Sequence, residues 1–154
     1  MRTGSANVFP QTDLTKRNYR MKKKSAAIFY VFALCFSHAF AQSTHLDTLR
    51  NPDPSKPVSV LKLGSDSLSS QFVIWVNTEV KPHRHQFHSE NVYILSGEGI
   101  MKLGENEFAV RQGSLIFIPR NTVHSMKVTS SEPLKLISVQ SPEFDGKDRI
   151  FTDQ

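Results

Sequence analysis

The chain has 154 residues, of which 38% are hydrophobic and 21% charged, and its formal net charge is +5. Residues 1–41 hold seven of the 19 Lys and Arg but only one of the 14 acidic residues. The remaining 113 residues carry 12 basic and 13 acidic side chains, a net charge of −1, which removes any electrostatic case for nucleic-acid binding. A length of this order suits one domain.

The first predicted element is a secretory signal peptide. Met21 opens a lysine triplet, an apolar run follows over 26–36, and the small residues Ala39 and Ala41 precede Gln42. A positive segment, a short apolar segment and an A-x-A site together predict export and cleavage after Ala41. Met21 is expected to be the true start, and an unusually long positive segment that begins at Met1 is the alternative. The expected location is therefore the periplasm or the exterior. An uncleaved membrane anchor is the alternative, although a spanning helix needs about 20 apolar residues.

The single cysteine lies inside this apolar run. Because Cys35 falls in the segment that cleavage removes, the secreted protein is expected to contain no cysteine and no disulfide. Leu34 stands where lipoprotein processing requires a small residue, which argues against lipidation. After cleavage we expect no association with a membrane.

The rest of the chain is predicted to be all-β. Residues 42–57 contain three prolines and are expected to form an extended lead-in. Short β-type runs separated by turn residues fill 58–141, and 142–154 is expected to be an irregular C-terminal tail. The predicted strands are 58–63, 71–76, 80–85, 90–95, 99–103, 108–110, 115–118, 123–129 and 134–140. Many short strands with frequent turns indicate a sandwich or a barrel.

Three histidines and one glutamate in these strands have the composition of a metal site. His83 and His85 are two apart, so an extended strand directs both to the same face. Glu90 follows on the next strand and His124 on a later one, and a closed or sandwiched sheet would bring them together. Imidazole nitrogens with one carboxylate oxygen form a ligand set for a divalent first-row metal.

The spacing of these residues resembles the two motifs of the cupin superfamily. The first motif, G-x5-H-x-H-x4-E-x6-G, runs here from Asn77 to Gly97. The second, G-x5-P-x-G-x2-H-x3-N, runs from Gly113 to Val128. Three positions depart from the pattern, and Asn121 is a mild change because Asn tolerates the left-handed turn conformation of Gly. The departures are Asn77, Asn121 and Val128.

The resemblance implies a double-stranded β-helix, the jelly-roll barrel of cupins, over 58–141. It also implies that one divalent transition metal, Fe, Mn, Zn, Cu or Ni, binds His83, His85, Glu90 and His124. Cupins similar to this chain act as dioxygenases, isomerases or lyases on small organic molecules, and some form homodimers. Four protein ligands leave one or two metal positions for water, substrate or dioxygen.

Strand parity predicts the surroundings of the metal. Side chains two apart share a face, which gives a largely apolar cavity with polar groups along one edge. Tyr93 is expected to face away from Glu90 and to pack in the core, and Trp75 is also expected in the core. His88 lies in the loop before Glu90, either as a partner of a ligand or of substrate, or as a solvated loop residue. The positions expected in the cavity are Glu79, Lys81, Val92, Ile94, Ser96, Met126 and Val128.

Three functions are compatible with these features. The favoured one is an envelope enzyme that oxygenates a small aromatic or keto compound, ahead of a metal-dependent isomerase or lyase. The second is a non-catalytic module that binds a small ligand at the metal. The third is a structural barrel that assembles into homodimers. The resemblance alone does not choose among them.

Overall fold

A computed structural model describes residues 43–152. The predicted start site, signal peptide and lipidation site all lie outside the described residues. From Leu46 onward the described residues belong to one compact unit. Within 43–152, no helix has the length and apolar character needed to cross a membrane.

The described chain is built almost entirely of strands. One short 3-10 helix, Leu46–Thr48, lies in the lead-in. The strands are β1 (Val58–Ser65), β2 (Ser70–Val76), β3 (Glu79–Arg84), β4 (Ser89–Ser96), β5 (Glu98–Leu103), β6 (Asn106–Arg111), β7 (Leu115–Ile118), β8 (His124–Val128), β9 (Leu134–Ser141) and β10 (Ile150–Phe151). Nine of them match the predicted strands. The tenth lies in the tail that was predicted to be irregular, and that prediction is wrong at β10.

The strands form two five-stranded antiparallel sheets. Their orders are β1-β2-β9-β4-β7 and β10-β3-β8-β5-β6. Apart from the hairpins β1–β2 and β5–β6, consecutive strands lie in opposite sheets, as in a double-stranded β-helix. The predicted all-β jelly-roll barrel is confirmed. Burial alternates along β9 and most of β4, which places every second side chain in the space between the sheets.

The inward-facing side chains form one apolar core. Trp75 is buried as expected. Tyr93 faces outward, as predicted from parity, but it is 41% exposed, so the prediction that it packs in the core is wrong. The core cluster consists of Phe72, Ile74, Val76, Val92, Ile94, Met101, Val110, Ile116, Ile118, Met126, Leu134 and Leu136. Burying side chains of this size stabilises the fold by about 1.5–3 kcal/mol each.

Two positions of the motifs adopt the left-handed backbone conformation that favours glycine. Asn121 adopts φ +61°, the left-handed conformation expected for the residue that replaces Gly. Gly97 adopts φ +83°, and a Cβ added there would lie 2.7 Å from the Cα of Leu134. Asn77 has a different use, because its side-chain amide donates to the carbonyl oxygens of Pro54 and Lys56 and attaches the lead-in to the barrel.

Candidate metal centre

Both sheets contribute to the predicted ligand set. His83 lies near the end of β3 and faces His124, the first residue of β8, across the β3–β8 ladder. His85 follows directly after β3, and Glu90 lies in β4 of the other sheet. All four side chains are buried. The barrel therefore brings together the four residues that the spacing singled out.

The four side chains are close enough to share one ion. One ring nitrogen from each of His83, His85 and His124 lies within 4.8 Å of the others. Oε2 of Glu90 is 3.5 Å from Nε2 of His85 and 3.5 Å from Nε2 of His124. Two ligand atoms at about 2.1 Å from one ion lie about 3.0 Å apart at a right angle and about 3.4 Å apart at the tetrahedral angle. The 3.5 Å spacing of Glu90 from its two histidine neighbours lies within about 0.5 Å of both values.

Backbone carbonyls fix the orientation of all three imidazoles. Nδ1 of His83 is 2.8 Å from the carbonyl oxygen of Lys81, and Nδ1 of His124 is 3.0 Å from that of Thr122. Nδ1 of His85 makes the same contact with the carbonyl of Asp148. Because a carbonyl only accepts, each Nδ1 carries a hydrogen, and the lone pair of each neutral ring lies on Nε2.

This arrangement leaves Nε2 of His85 and Oε2 of Glu90, two hydrogen-bond acceptors, facing each other. Nε2 of His85 is buried without a hydrogen-bond partner among residues 43–152, and the nearby Oε2 of Glu90 is also an acceptor. A shared proton or a cation between them satisfies both atoms, and unpaired buried polar atoms are otherwise costly. The donor set therefore fits a divalent transition metal.

The electrostatics favour a neutral imidazole at His83 and an ionised carboxylate at Glu90. Burial, assisted by the neighbouring His124, lowers the pKa of His83 from 6.5 to about 3. Burial alone raises the pKa of Glu90, but the close approach of the His124 and His85 rings and the hydrogen bond from Ser138 outweigh burial and hold the pKa well below 4.5. These are the protonation states that metal ligation needs.

Two residues of β9, missed in the sequence, hold Glu90 in place. Ser138 donates its hydroxyl hydrogen to Oε1 of Glu90, and the amide of Gln140 donates to the same oxygen at 3.3 Å. Oε2 is left to face the histidines. The alternation of β9 carried the signal, since Ser138 and Gln140 continue the inward face of Leu134 and Leu136.

His88 is buried, so the solvated-loop alternative is wrong. Its Nδ1 lies 2.5 Å from Oδ2 of Asp148 and its Nε2 lies 2.9 Å from the carbonyl oxygen of Glu143. The Asp148 carboxylate also accepts the backbone N–H groups of Gln86 and Phe87. Asp148 thus links His88 through its side chain to His85 through its carbonyl, and nothing in the sequence pattern had indicated it.

A cavity of about 370 Å³ opens on the cluster. Glu79, Lys81, Val92 and Met126 line it as parity predicted, whereas Ile94, Ser96 and Val128 do not. Val80 joins the lining because β3 contains an extra residue between Val80 and His83, which breaks strict alternation there. The apolar lining consists of Pro57, Val58, Ile74, Val80, Val92, Met101, Ile118, Met126, Leu136 and Phe151.

Comparison with known proteins shows which family the chain resembles. The cupin domain family model matches residues 70–140. An uncharacterised protein of Aquifex aeolicus is 33% identical over 93 residues, covering 60% of this chain and 76% of that protein. A solved structure of an uncharacterised Klebsiella pneumoniae protein with a double-stranded β-helix domain superposes with a TM-score of 0.62 at 19% identity, covering 75% of this chain and all of that one.

Relatives with named activities share a smaller part of their length. Mannose-1-phosphate guanylyltransferase of Salmonella muenchen is 29% identical over 107 residues, 70% of this chain but 22% of that enzyme. Quercetin 2,3-dioxygenase of Bacillus subtilis is 33% identical over 60 residues, 39% of this chain and 18% of the enzyme. The same domain thus occurs in proteins of quite different chemistry.

Proposed function

The chain belongs to the cupin superfamily, and from that premise we propose that it binds one divalent transition metal and acts on a small organic molecule. The proposed ligands are His83, His85, Glu90 and His124. The observation that carries this proposal is the set of three Nδ1–carbonyl contacts, which leaves the Nε2 lone pairs of three clustered histidines free, two of them 3.5 Å from Oε2 of Glu90. Such a set suits Fe, Mn, Zn, Cu or Ni.

Some residues of the site would bind the metal or the substrate, and others would orient the metal ligands. A bound ion would supply Lewis-acid or redox chemistry at positions that the four protein ligands leave free. Ser138 and Gln140 keep the Glu90 carboxylate ionised and oriented. The apolar walls formed by residues such as Val92 and Met126 would bury the hydrocarbon part of a substrate and exclude water.

We favour oxygenation of a small aromatic or keto compound, ahead of isomerisation or elimination. The largely apolar lining of the cavity supports this choice, because it suits an aromatic or alkyl group better than a sugar. The similarity to a quercetin 2,3-dioxygenase over 60 residues is in keeping with it. We also propose an envelope location, which rests on the signal-like segment at 21–41 alone.

One observation favours a ligand-binding module as the second candidate. Among the described residues that line the cavity, the titratable side chains outside the cluster are half-buried or exposed. No buried acid or base is therefore available for proton transfer beyond the cluster itself. A module of this kind would bind its ligand without converting it.

Metal analysis of protein isolated from its native envelope tests the proposal. We expect about one transition-metal ion per chain in the wild type and loss of that ion in His85→Ala. Iron-loaded protein should then consume oxygen when catechols or diketones are added, whereas a binding module would bind them without uptake. Absence of stoichiometric metal in the native protein would contradict the proposal.

A further inference from the structure

Among the described residues that line the cavity, Arg149 is the one with a buried side-chain nitrogen, Nε, that has no hydrogen-bond partner. It precedes β10 by one residue and lies two residues before Phe151, so both side chains can face the cavity, and both line it. Phe151 pairs with His83 in the β3–β10 ladder, and the two rings are 6.0 Å apart. Arg149 therefore stands beside the histidine cluster.

The guanidinium of Arg149 has no internal counter-ion. Its Nε is buried without a hydrogen-bond partner among residues 43–152, and none of the ion pairs within that range includes Arg149. Its positive charge contributes to the lowered pKa of His83, which places the charge within electrostatic reach of the cluster. A half-buried arginine in this state is short of an acceptor.

The other charges around the cavity do not remove this excess. Lys56 is paired with Asp53 at 3.0 Å, so its charge is already balanced. Lys81 and Glu79, both exposed, lie on the same lining and offset each other. Glu90 also lines the cavity as an anion, but its oxygens are held by Ser138, Gln140 and the histidines. Arg149 thus remains a cation without a partner of its own, and the apolar surface of Val58, Val80 and Phe151 completes the lining around it.

We infer that Arg149 makes this cavity selective for organic acids. The guanidinium binds the carboxylate of the ligand, for which its planar fork of N–H donors is shaped, while the apolar part of the molecule lies against the cavity wall. The substrate class is a small aromatic or keto acid that fits within about 370 Å³. This inference rests on the proposed function for its substrate, but the binding step depends on Arg149 and not on the metal.

Matched pairs of probes test the inference by calorimetric binding. Salicylate and phenylpyruvate are compared with their neutral methyl esters, on chelator-treated protein and on zinc-loaded protein, in which no redox turnover occurs. We expect the wild type to bind each acid at least about 10-fold more tightly than its ester. Arg149→Gln should weaken acid binding roughly 10- to 100-fold and abolish the preference, the range expected for hydrogen bonds to charged groups.

Two further variants separate charge, geometry and fold. Arg149→Lys keeps the charge but loses the fork, and should restore only part of the acid preference. Arg84→Gln is the matched control, since Arg84 is half-buried on β3 and its Nε also lacks a partner within 43–152, yet it does not line the cavity. Arg84→Gln should bind the acids as the wild type does.

Clear outcomes overturn the inference. An Arg149→Gln protein that still prefers acids, a wild type that binds esters equally well, or a wild type that binds neither probe at millimolar concentration would each do so. Zinc affinity, measured by chelator competition, should not fall in Arg149→Gln, because loss of a nearby positive charge does not weaken the binding of a cation. If zinc did not bind the wild type, the proposed function would be contradicted. The role of Arg149 would still be tested by the acid preference of the metal-free protein.

Discussion

The site is assembled from two regions of very different regularity. The clustered side chains lie on or beside β3, β4 and β8, where strand geometry sets their direction. Residues 142–152 contain only the two-residue strand β10, yet Asp148, Arg149 and Phe151 all reach the cluster or its cavity. The strands determine which ligand atoms converge, and the C-terminal segment determines how one ligand is oriented and what the cavity accepts.

The two regions are also held together differently. On the strands, register places Glu90 opposite Gln140 in β9, so that the supporting contacts follow from sheet pairing. The C-terminal segment depends on Asp148. Burial alone raises the pKa of this carboxyl, but hydrogen bonds from His88, Phe87 and Gln86 outweigh burial and lower it. Substitutions in either region should therefore have separable effects.

Removing a ligand of the cluster should have the largest effect. His85→Ala deletes one of four proposed metal ligands, and we expect metal affinity to fall by at least about 100-fold. His88→Asn, which removes a contact of the C-terminal segment and no ligand, should keep one metal per chain. Chelator competition measures both. Equal losses in the two variants would remove the distinction between the regions.

Acid should destabilise the metal-free protein through the strand-borne cluster. His83 has a pKa of 6.5 when unfolded and about 3 when folded, so the unfolded chain binds more protons between these values. Stability is therefore fully present above about pH 6.5 and falls as pH decreases toward 3, by roughly 2 kcal/mol between pH 6.5 and 4.5. The lowered pKa of Glu90 adds a further loss below pH 4.5 in the same direction.

Urea unfolding of chelator-treated protein at several pH values measures this dependence. The matched variant is His83→Gln, which has no titrating imidazole at that position and should show a flatter profile between pH 6.5 and 4.5. A variant with the same slope as the wild type would show that His83 is not the group responsible.

The same contrast explains what could be predicted from the sequence. Period-two alternation and turn residues identified nine strands, because burial on one face leaves a mark at every second position. The spacing of His83, His85 and Glu90 identified the cluster for the same reason. Ser138 and Gln140 lay on that same alternation, and their polar character on an inward face was the signal that went unused.

The C-terminal segment, residues 142–152, shows no such alternation in the sequence. Asp148 acts through a carboxylate that meets residues 86–88 and a carbonyl that meets His85, contacts that form only in the folded chain and span about 60 residues of sequence. Two residues of β10 are too few to show alternation. The extra residue between Val80 and His83 also leaves no pattern, so parity could not place Val80 in the cavity.

Weakening the C-terminal segment should have an intermediate effect. Asp148→Asn keeps the size of the side chain but loses the charge that accepts from His88 and two backbone N–H groups. We expect a loss of about 2 kcal/mol in the free energy of unfolding. Metal affinity should fall about 10-fold, because the carbonyl that orients His85 belongs to the same residue.

Asp145→Asn is the control within the same segment. Asp145 is exposed and contacts only Lys147, through its backbone N–H at 3.0 Å and its Nζ at 3.2 Å. Its substitution should change stability by less than about 0.5 kcal/mol and leave metal affinity unchanged. If both variants behaved alike, Asp148 would have no special role in holding the segment.

The smallest expected effect lies on the strand side, at Ser138. Ser138→Ala removes one hydrogen bond to Oε1 of Glu90 but leaves the bond from Gln140, so the carboxylate stays in place with less support. We expect the pKa of Glu90 to rise and metal affinity to fall about 3- to 10-fold, as for a neutral donor lost from a charged acceptor. Ser59→Ala is the matched control, because Ser59 is also buried and bonded, to the carbonyl of Asp53, but has no contact with Glu90. Its metal affinity should equal that of the wild type. If Ser138→Ala bound metal as tightly as Ser59→Ala, the orientation of Glu90 would not depend on β9.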